Sequence, residues 1–257
     1  MSRIIGVVSG KGGVGKTTVV ANLGVALTKF EKKVTLVDCN VTTSHLGFYF
    51  GLYYYPKTLN NVLKGEISIL DSTYLHQTGV NIVPASLALE DLMDVDIGKL
   101  KPSLSKISET SDMVLLDSAP GLGREAMGVL NSCEEVLFVT IPTFPAVTDI
   151  SRCNKIIDKL GIKPLGVVLN MVRNTVFELT EGDVEELTNL PVLAKIPFDK
   201  NIGRSLELGL TNIEFKPLSK SSVAFTKLAA GLVGESYSPP KRMVFSRIYD
   251  ALKQALS

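Results

Sequence analysis

Gly10-Lys11-Gly12-Gly13-Val14-Gly15-Lys16-Thr17-Thr18 is the stretch that decides how this chain folds. It fits the pattern G-x-x-x-x-G-K-[ST], and its setting fits as well. An apolar run over residues 4–8 precedes it and predicts a buried strand, and the periodic apolar segment 19–30 predicts a helix directly after it. The stretch therefore predicts a phosphate-binding loop between a strand and a helix.

The residue types in this loop suit a nucleotide and Mg²⁺. Glycines let backbone N–H groups converge on phosphate oxygens, and the N-terminal end of the next helix carries partial positive charge. In this pattern Lys16 reaches the β- and γ-phosphates, and the Thr17 hydroxyl is a ligand of Mg²⁺. The predicted nucleotide-binding residues of the loop are Gly10, Lys11, Gly12, Gly13, Val14, Gly15, Lys16, Thr17 and Thr18.

Length and composition favour an ordinary globular protein. The chain has 257 residues, of which 45% are hydrophobic, enough for a substantial core in one large domain or two small ones. The net charge is +1, which gives no electrostatic footprint for nucleic acid. His45 and His76 stand alone, without the spacing of zinc ligands.

The sequence also favours a cytoplasmic location. Cys39, Cys133 and Cys153 form no C-x-x-C pair, and an odd number of cysteines suits reduced thiols. The N-terminus runs straight into the first predicted strand, which leaves no room for a signal peptide. No apolar stretch approaches the length of about 20 residues that a membrane-spanning helix needs.

Strands and helices alternate along the rest of the chain. Continuous apolar strands with helices between them are typical of an α/β fold, in which helices cover both faces of a mostly parallel sheet. We expect a single domain over residues 1–234. The predicted strands are 33–38, 81–84, 113–117, 136–141, 165–170 and 192–196, and the predicted helices are 146–160, 181–188, 202–208 and 221–233.

Two carboxylates come at the ends of predicted strands. Asp38 and Asp117 should lie at the sheet edge that carries the loop, because the carboxyl ends of parallel strands share one edge. A carboxylate beside a phosphate site can hold Mg²⁺ through a water molecule. Together with Thr17 they form the predicted metal site, although a strand-end Asp can also be purely structural.

A second lysine makes the loop more specific. With Lys11 in place, the loop resembles the deviant Walker A motif of the MinD/ParA family of ATPases, P-loop proteins that bind ATP or ADP with Mg²⁺. The resemblance implies that Lys11 reaches across a homodimer to the phosphates of the other subunit, while Lys16 acts within its own subunit. Both lysines are then catalytic candidates, since cations stabilise charge on a transferring phosphoryl group. A solvated loop lysine is the alternative for Lys11.

The segment after the second strand departs from this family. The family has D-x-D here, whereas this chain has Asp38-Cys39-Asn40. In the family the second acid positions or activates the water that attacks ATP. Asn40, at the matching position, can orient this water but cannot accept its proton. The resemblance therefore implies that hydrolysis is slower by about 10²-fold. We assign Asp38 and Asn40 to the catalytic set. Either the protein is a slow or binding-only member, or the chain carries a substitution that traps the ATP state.

The resemblance also implies three residues on the base side. Asn170 matches an Asn whose amide reads the edge of adenine, although it could simply terminate a strand. Met171 stands where the family usually has a basic residue. Pro197 and Asp199 match an I-P-x-D segment that closes over the base.

An aromatic cluster follows the Asp38 segment. The resemblance implies a short apolar helix over residues 46–51, in which Phe48 and Phe50 pack into the core. Tyr53, Tyr54 and Tyr55 cannot all point inward. Either ordinary surface packing or a partner-binding patch would account for them.

The C-terminal residues predict a separate element. Residues 235–240 read as a linker, and 241–257 predict a basic amphipathic helix. Such a helix is typical of membrane-surface binding, although it could instead pack on the domain or on a partner.

Taken together, these features imply a MinD-like ATPase that positions cell-division or similar machinery. In the ATP state it would be peripherally associated with the membrane. Its protein activator or cargo is not identified by the sequence. The alternatives are a non-hydrolysing ATP-dependent adaptor and a ParA-type DNA-partitioning ATPase, the latter disfavoured by the near-neutral charge.

Overall fold

Short apolar segments rich in Val, Ile and Leu form the central sheet of the computed structural model, which describes residues 2–240. The predicted helix 241–257 lies outside the described residues. The strands of the described part are β1 (Arg3–Val8), β2 (Val34–Asp38), β3 (Tyr74–Leu75), β4 (Asn81–Val83), β5 (Met113–Asp117), β6 (Glu135–Thr140), β7 (Lys163–Val172) and β8 (Val192–Pro197).

The sheet topology places the ends of the central strands together. The strand order is β3-β4-β2-β5-β1-β6-β7-β8, and every neighbouring pair is parallel except β3 with β4. In the pairing of β2 with β5, Asp38 stands in register with Asp117. The mostly parallel α/β sheet predicted from the sequence is confirmed, and it brings both predicted carboxylates to one edge.

Helices cover both faces of this sheet. The helices of the described part are α1 (Lys16–Thr28), α2 (Leu59–Lys64), α3 (Leu100–Ser108), α4 (Arg124–Leu130), α5 (Phe144–Leu160), α6 (Glu181–Thr188), α7 (Lys200–Glu207), α8 (Asn212–Phe215) and α9 (Lys220–Leu232). On one face α1, α7, α8 and α9 pack against β-strand residues such as Ile5 and Leu36, and on the other α2 to α6 pack against residues such as Phe138.

Some predicted boundaries shift, and several short elements were not predicted. Helix α1 begins at Lys16 instead of residue 19, because the left-handed Gly15 (φ 80°) ends the loop immediately before it. The prediction missed α2, α3, α4, α8 and the two-residue strand β3. These elements are too short, or too polar on their outer faces, to show a clear apolar period.

The aromatic cluster is arranged differently from the prediction. A 3₁₀ helix spans Leu46–Phe50, and Phe50 is buried as expected. Phe48 is only half-buried, so its assignment to the core is wrong, and Tyr49 is buried instead. The five-residue helix turns through 3₁₀ geometry, whose tighter repeat places different side chains inward than an α-helix does.

The close packing of α1 on the sheet generates a stability prediction. A Cβ atom on Gly24 would lie 2.7 Å from Cδ2 of Leu36 in β2. Overpacking of this kind costs about 1–3 kcal/mol, of which the higher helix propensity of Ala offsets up to about 1 kcal/mol. We expect Gly24→Ala to lower the free energy of unfolding by about 1 kcal/mol, measured by urea denaturation.

Gly231 provides the matched control. It lies in α9, a helix of the same 13-residue length, and a Cβ atom there would meet no atom within 4 Å. Gly231→Ala should therefore raise the free energy of unfolding, by up to about 1 kcal/mol. A gain in both variants would contradict the packing argument.

Candidate functional site

The loop between β1 and α1 is shaped to bind an anion. Gly13 and Gly15 have φ values of 79° and 80°, a left-handed conformation that glycine adopts without steric cost. Helix α1 begins at Lys16, and no side chain caps its first turn. The N–H groups of that turn are therefore available to phosphate oxygens.

Asn170 holds this loop from strand β7, which is separated from β1 by β6. Its Nδ2 donates a hydrogen bond of 2.8 Å to the carbonyl oxygen of Val14, and both residues are buried. A Cβ atom on Gly15 would lie 2.3 Å from the same Nδ2. Glycine is thus required at position 15 both for its left-handed backbone and for the close approach of Asn170.

Lys16 lies at the centre of the site and is paired beneath the loop. Its Nζ is 2.5 Å from Oδ1 of Asp117, and the two side chains are only 7% and 1% exposed. The pair connects the first residue of α1 to the last residue of β5. A buried ammonium of this kind is poised to exchange its carboxylate partner for a phosphate.

Asp38 organises the segment that follows β2. Its carboxylate accepts hydrogen bonds from the Ser44 hydroxyl at 2.8 Å and from the backbone N–H groups of His45 and Leu46 at 3.2 and 3.1 Å. Burial, together with the neighbouring charge of Asp117, raises the pKa of Asp38 to about 7. The backbone of residues 44–46 is therefore folded around a carboxylate that is close to a second one.

The oxygen donors at this edge fit Mg²⁺. Thr17 contributes a hydroxyl to the cavity, and the carboxylates of Asp38 and Asp117 stand in register behind it. Oxygen ligands are those that Mg²⁺ prefers. A cation would favour the ionised form of Asp38, whose pKa is raised by burial and by the neighbouring charge of Asp117. Within residues 2–240 no group of three or more His, Cys, Asp or Glu side chains could hold a metal by itself. The cation would thus depend on phosphates and water as well.

Asn40 is tied to the loop that follows it. Its Nδ2 donates to the Thr43 carbonyl oxygen at 2.8 Å, and its Oδ1 accepts from the Thr43 hydroxyl at 3.1 Å. The Asn40 backbone N–H donates to Asp38 Oδ1 at 3.1 Å. Both ends of the Asn40 amide are therefore used in holding this loop closed.

Lys11 differs from Lys16 in its surroundings. It is half-buried at the rim of the loop, and its ammonium forms no ion pair with any residue in the described range 2–240. The contact at this position is made by the backbone, where the Lys11 carbonyl accepts a hydrogen bond from the Ser9 hydroxyl at 3.0 Å. Within residues 2–240 the Lys11 ammonium is thus left without a counter-charge.

Two adjoining cavities surround the loop. The first, of about 350 Å³, contains the loop, Asn40 and Pro120, and the second, of about 360 Å³, lies on the β7–β8 side. Thr18 contributes to both. The second cavity is lined mostly by apolar surface and includes Asn170, Met171, Pro197, Phe198, Asp199 and Ile202.

The base-side residues named from the sequence thus lie together in the second cavity. Asp199 caps α7 by accepting from the N–H of Asn201 at 2.9 Å, and it also accepts from the Ser221 hydroxyl at 2.7 Å. Burial opposes its ionisation, but these hydrogen bonds outweigh burial and lower the pKa of Asp199. The guanidinium carbon of Arg173 lies 3.7 Å from the centre of the Phe198 ring, a cation–π contact at the side of this cavity.

Comparison with known proteins decides the family. The family model described as the CobQ/CobB/MinD/ParA nucleotide binding domain matches residues 5–212. The chain belongs to this MinD/ParA family. An uncharacterised ATP-binding protein of Methanocaldococcus jannaschii is 35% identical, over 90% of this chain and 88% of its own length.

Two solved structures are similar to the MinD/ParA fold of this chain. The cell division ATPase MinD of Pyrococcus furiosus has a TM-score of 0.88 and 36% identity, covering 91% of this chain and 99% of its own. The septum site-determining protein MinD of Pyrococcus horikoshii, complexed with Mg-ADP, has a TM-score of 0.87 and 35% identity, covering 90% and 96%. The resemblance inferred from the loop is confirmed, and the chain is a MinD-like member of a family of P-loop ATPases.

Within this MinD/ParA framework, several residues of the site were not identified from the sequence. Tyr49 lines the first cavity, Ser44 binds Asp38, and Arg173 stacks on Phe198. Each depends on a contact that no sequence pattern marks. The run of aromatic residues around Tyr49 was the one available signal, but it does not distinguish which ring turns inward.

The described part of this MinD-like chain gives no candidate for a membrane-spanning segment. None of the helices within residues 2–240 combines the length and the hydropathy that crossing a bilayer requires.

The buried ion pair gives a prediction about the nucleotide-free protein. Asp117→Asn would leave the Lys16 ammonium buried without a counter-charge, which costs about 3–5 kcal/mol. We expect a loss of this size in the free energy of unfolding, measured by urea denaturation in EDTA without nucleotide.

Glu135→Gln provides the control for this experiment. Glu135 pairs with Arg3 at 2.7 Å and with Lys163 at 3.1 Å, but these two cationic side chains are 37% and 71% exposed. Loss of these solvent-screened pairs should cost about 1 kcal/mol each or less. Equal losses in the two variants would show that the burial of Lys16 and Asp117 adds nothing to their interaction.

Proposed function

We propose that this protein is a Mg²⁺-dependent, MinD-like ATPase that dimerises when it binds ATP. We further propose that it acts in the spatial regulation of cell division or in the positioning of other cellular machinery. The names of its structural neighbours, a cell division ATPase and a septum site-determining protein bound to Mg-ADP, support this role.

The contrast between the two loop lysines carries the proposal. Lys16 is buried and paired with Asp117, as a residue that acts within its own subunit should be. Lys11 lies at the rim, half-buried and without an ion-pair partner among residues 2–240. A lysine in this position can reach a phosphate held by a second copy of the chain, which would couple dimerisation to the bound triphosphate.

The remaining residues have distinct roles in this proposal. Thr17, Asp38 and Asp117 would hold Mg²⁺, and Asp38 also organises the segment that follows β2. When bound, Mg²⁺ neutralises charge that develops on the phosphates. Lys16 leaves Asp117 to contact the β- and γ-phosphates, and the first-turn N–H groups of α1 hold the phosphate oxygens.

The second cavity is proposed to take the adenine base. Nδ2 of Asn170 gives one of its two protons to the Val14 carbonyl, and no hydrogen bond within residues 2–240 uses the acceptor Oδ1, which we propose faces the base. An acceptor suits the amino group of adenine and repels the carbonyl oxygen that guanine has at the same position. Phe198 and Pro197 then supply apolar contacts to the base, and Asp199 fixes the start of α7 behind them.

Hydrolysis is proposed to be slow because of Asn40. Its amide cannot act as a general base, and both of its polar ends contact Thr43. The same observation favours one other function, a non-hydrolysing ATP-dependent adaptor that recruits a partner through its dimeric state.

Membrane association is proposed to reside in the C-terminal residues. In this view residues 1–234 form the ATPase domain, 235–240 a linker and 241–257 an amphipathic membrane-binding segment. One such segment binds a bilayer weakly, whereas two held in one dimer bind with avidity. Nucleotide state would then control membrane residence.

Substitution of Lys11 tests the proposal directly. We expect the chain to dimerise on addition of Mg-ATP, as measured by light scattering, and Lys11→Ala to remain monomeric because the partner's phosphates lose their second cation. Lys227→Ala, which removes an exposed lysine on α9, should dimerise as the unaltered chain does. ATP-bound chain that stays monomeric would refute the proposal.

Substitution of Asn40 separates the ATPase from the adaptor. Asn40→Asp should raise the single-turnover rate of ATP hydrolysis by about 10²-fold, since it restores a proton acceptor. Affinity for ADP, measured in parallel, should stay unchanged. Equal hydrolysis rates for the two chains would remove residue 40 from the mechanism.

Truncation tests the membrane step. We expect the full chain to sediment with anionic liposomes in ATP and to remain largely in the supernatant in ADP. A chain ending at residue 240 should stay in the supernatant with either nucleotide. Sedimentation that does not depend on the nucleotide would refute the coupling between dimerisation and membrane binding.

A further inference from the structure

A buried pair of hydroxyl groups joins the 3₁₀ helix after β2 to the phosphate-binding loop. The Tyr49 hydroxyl is 2.6 Å from Oγ1 of Thr18, and both residues are 7% exposed. Tyr49 and Thr18 both line the first cavity, and Thr18 also lines the second. Thr18 therefore stands where the phosphate part of a nucleotide meets its nucleoside part.

The positions of the two protons decide what this pair can do. Each hydroxyl has one proton to donate, and within residues 2–240 neither oxygen has another hydrogen-bond partner. If Thr18 donates to Tyr49, the single hydroxyl proton of Thr18 is used within the pair and none is left for a ligand. If Tyr49 donates to Thr18, the Thr18 proton is left to point into the cavity.

A phosphate would favour the second arrangement. Phosphate oxygens only accept hydrogen bonds, so a bound nucleotide needs Thr18 to be the donor. A phenol is also a stronger donor than an aliphatic hydroxyl. Burial raises the pKa of Tyr49, which keeps the phenol proton in place.

We propose that Tyr49 is a positioning residue for nucleotide binding: its hydroxyl donates to Thr18 and thereby directs the Thr18 hydroxyl proton toward the α-phosphate. This inference rests on the proposed function, because it assigns a role within the same site. Tyr49 also links Thr18 to the segment that is held by Asp38. The 3₁₀ helix that carries it begins at Leu46, whose N–H donates to the Asp38 carboxylate.

A double-mutant cycle tests the role of Tyr49. The variants are Tyr49→Phe, Thr18→Val and the double variant, and the measurement is the Kd for ADP and for ATP by calorimetry. We expect Tyr49→Phe to weaken both nucleotides by the same factor, about 2- to 10-fold, since both contain an α-phosphate. The double variant should bind no more weakly than Thr18→Val alone, because the Tyr49 hydroxyl acts through Thr18.

Steady-state kinetics supply a second readout. The KM for ATP should rise by the factor seen in the Kd, and kcat should change by less than that factor. Tyr55→Phe is the matched control, because the half-buried Tyr55 hydroxyl donates at 2.6 Å to the Leu52 carbonyl and lies outside both cavities. It should lose stability without losing nucleotide affinity.

The outcomes separate this inference from the function on which it rests. Unaltered chain that binds neither ADP nor ATP would overturn both. If the unaltered chain binds nucleotide, a Tyr49→Phe variant with unchanged affinity, or independent additive losses in the double variant, would overturn the role of Tyr49 alone. Equal losses in Tyr55→Phe would also overturn it, because the effect would then come from general loosening of the segment.

Discussion

The ion pair between Lys16 and Asp117 is the constraint on which the site depends. It places an ammonium and a carboxylate 2.5 Å apart where solvent barely reaches either group. Such a pair gains little net stability, because each charge must be removed from water, but breaking it is costly. The pair therefore fixes how the start of α1 meets the end of β5, and the glycine loop must fold within that limit.

A second buried carboxylate, Asp38, adds negative charge that the Lys16–Asp117 pair does not balance. Asp38 stands in register with Asp117, and burial and the nearby charge raise its pKa to about 7. The protein compensates in part by folding residues 44–46 around Asp38. Lys16 pairs with Asp117 alone, so the two buried carboxylates together lack positive charge, which a divalent cation would supply. The segment that follows Asp38 and the loop that carries Lys16 are thus linked electrostatically through Asp38 and Asp117.

The sequence predicted the parts of this structure that follow from local patterns. Strand β5 was predicted from its continuous apolar run, and the phosphate-binding loop from the spacing of its glycines and Lys16. The family resemblance was strongest in this loop, where Lys11 is the additional residue. Contacts between distant segments could not be predicted in the same way. The bond from Asn170 to Val14 spans 156 residues, and the bond from Tyr49 to Thr18 depends on which ring of an aromatic run turns inward.

The error at Phe48 shows the physical reason most clearly. The family resemblance implies a short apolar helix over residues 46–51, but a helix of one or two turns can rotate without changing its sequence. In the structure the rotation is fixed by Asp38 at one end, through the N–H of Leu46, and by the Tyr49 hydroxyl at the other. Both are polar contacts made by tertiary structure, which hydrophobic periodicity does not record.

Most polar groups of the site are satisfied inside the subunit before any ligand binds. Lys16 is bonded to Asp117, the Asn170 amide to Val14, and Asn40 to Thr43. A triphosphate would therefore have to replace some of these contacts with its own. The side chain of Lys11 has no ion pair to exchange within residues 2–240, so its charge is open to a ligand or partner from outside those residues. This asymmetry is what would make the bound nucleotide a shared ligand of two chains.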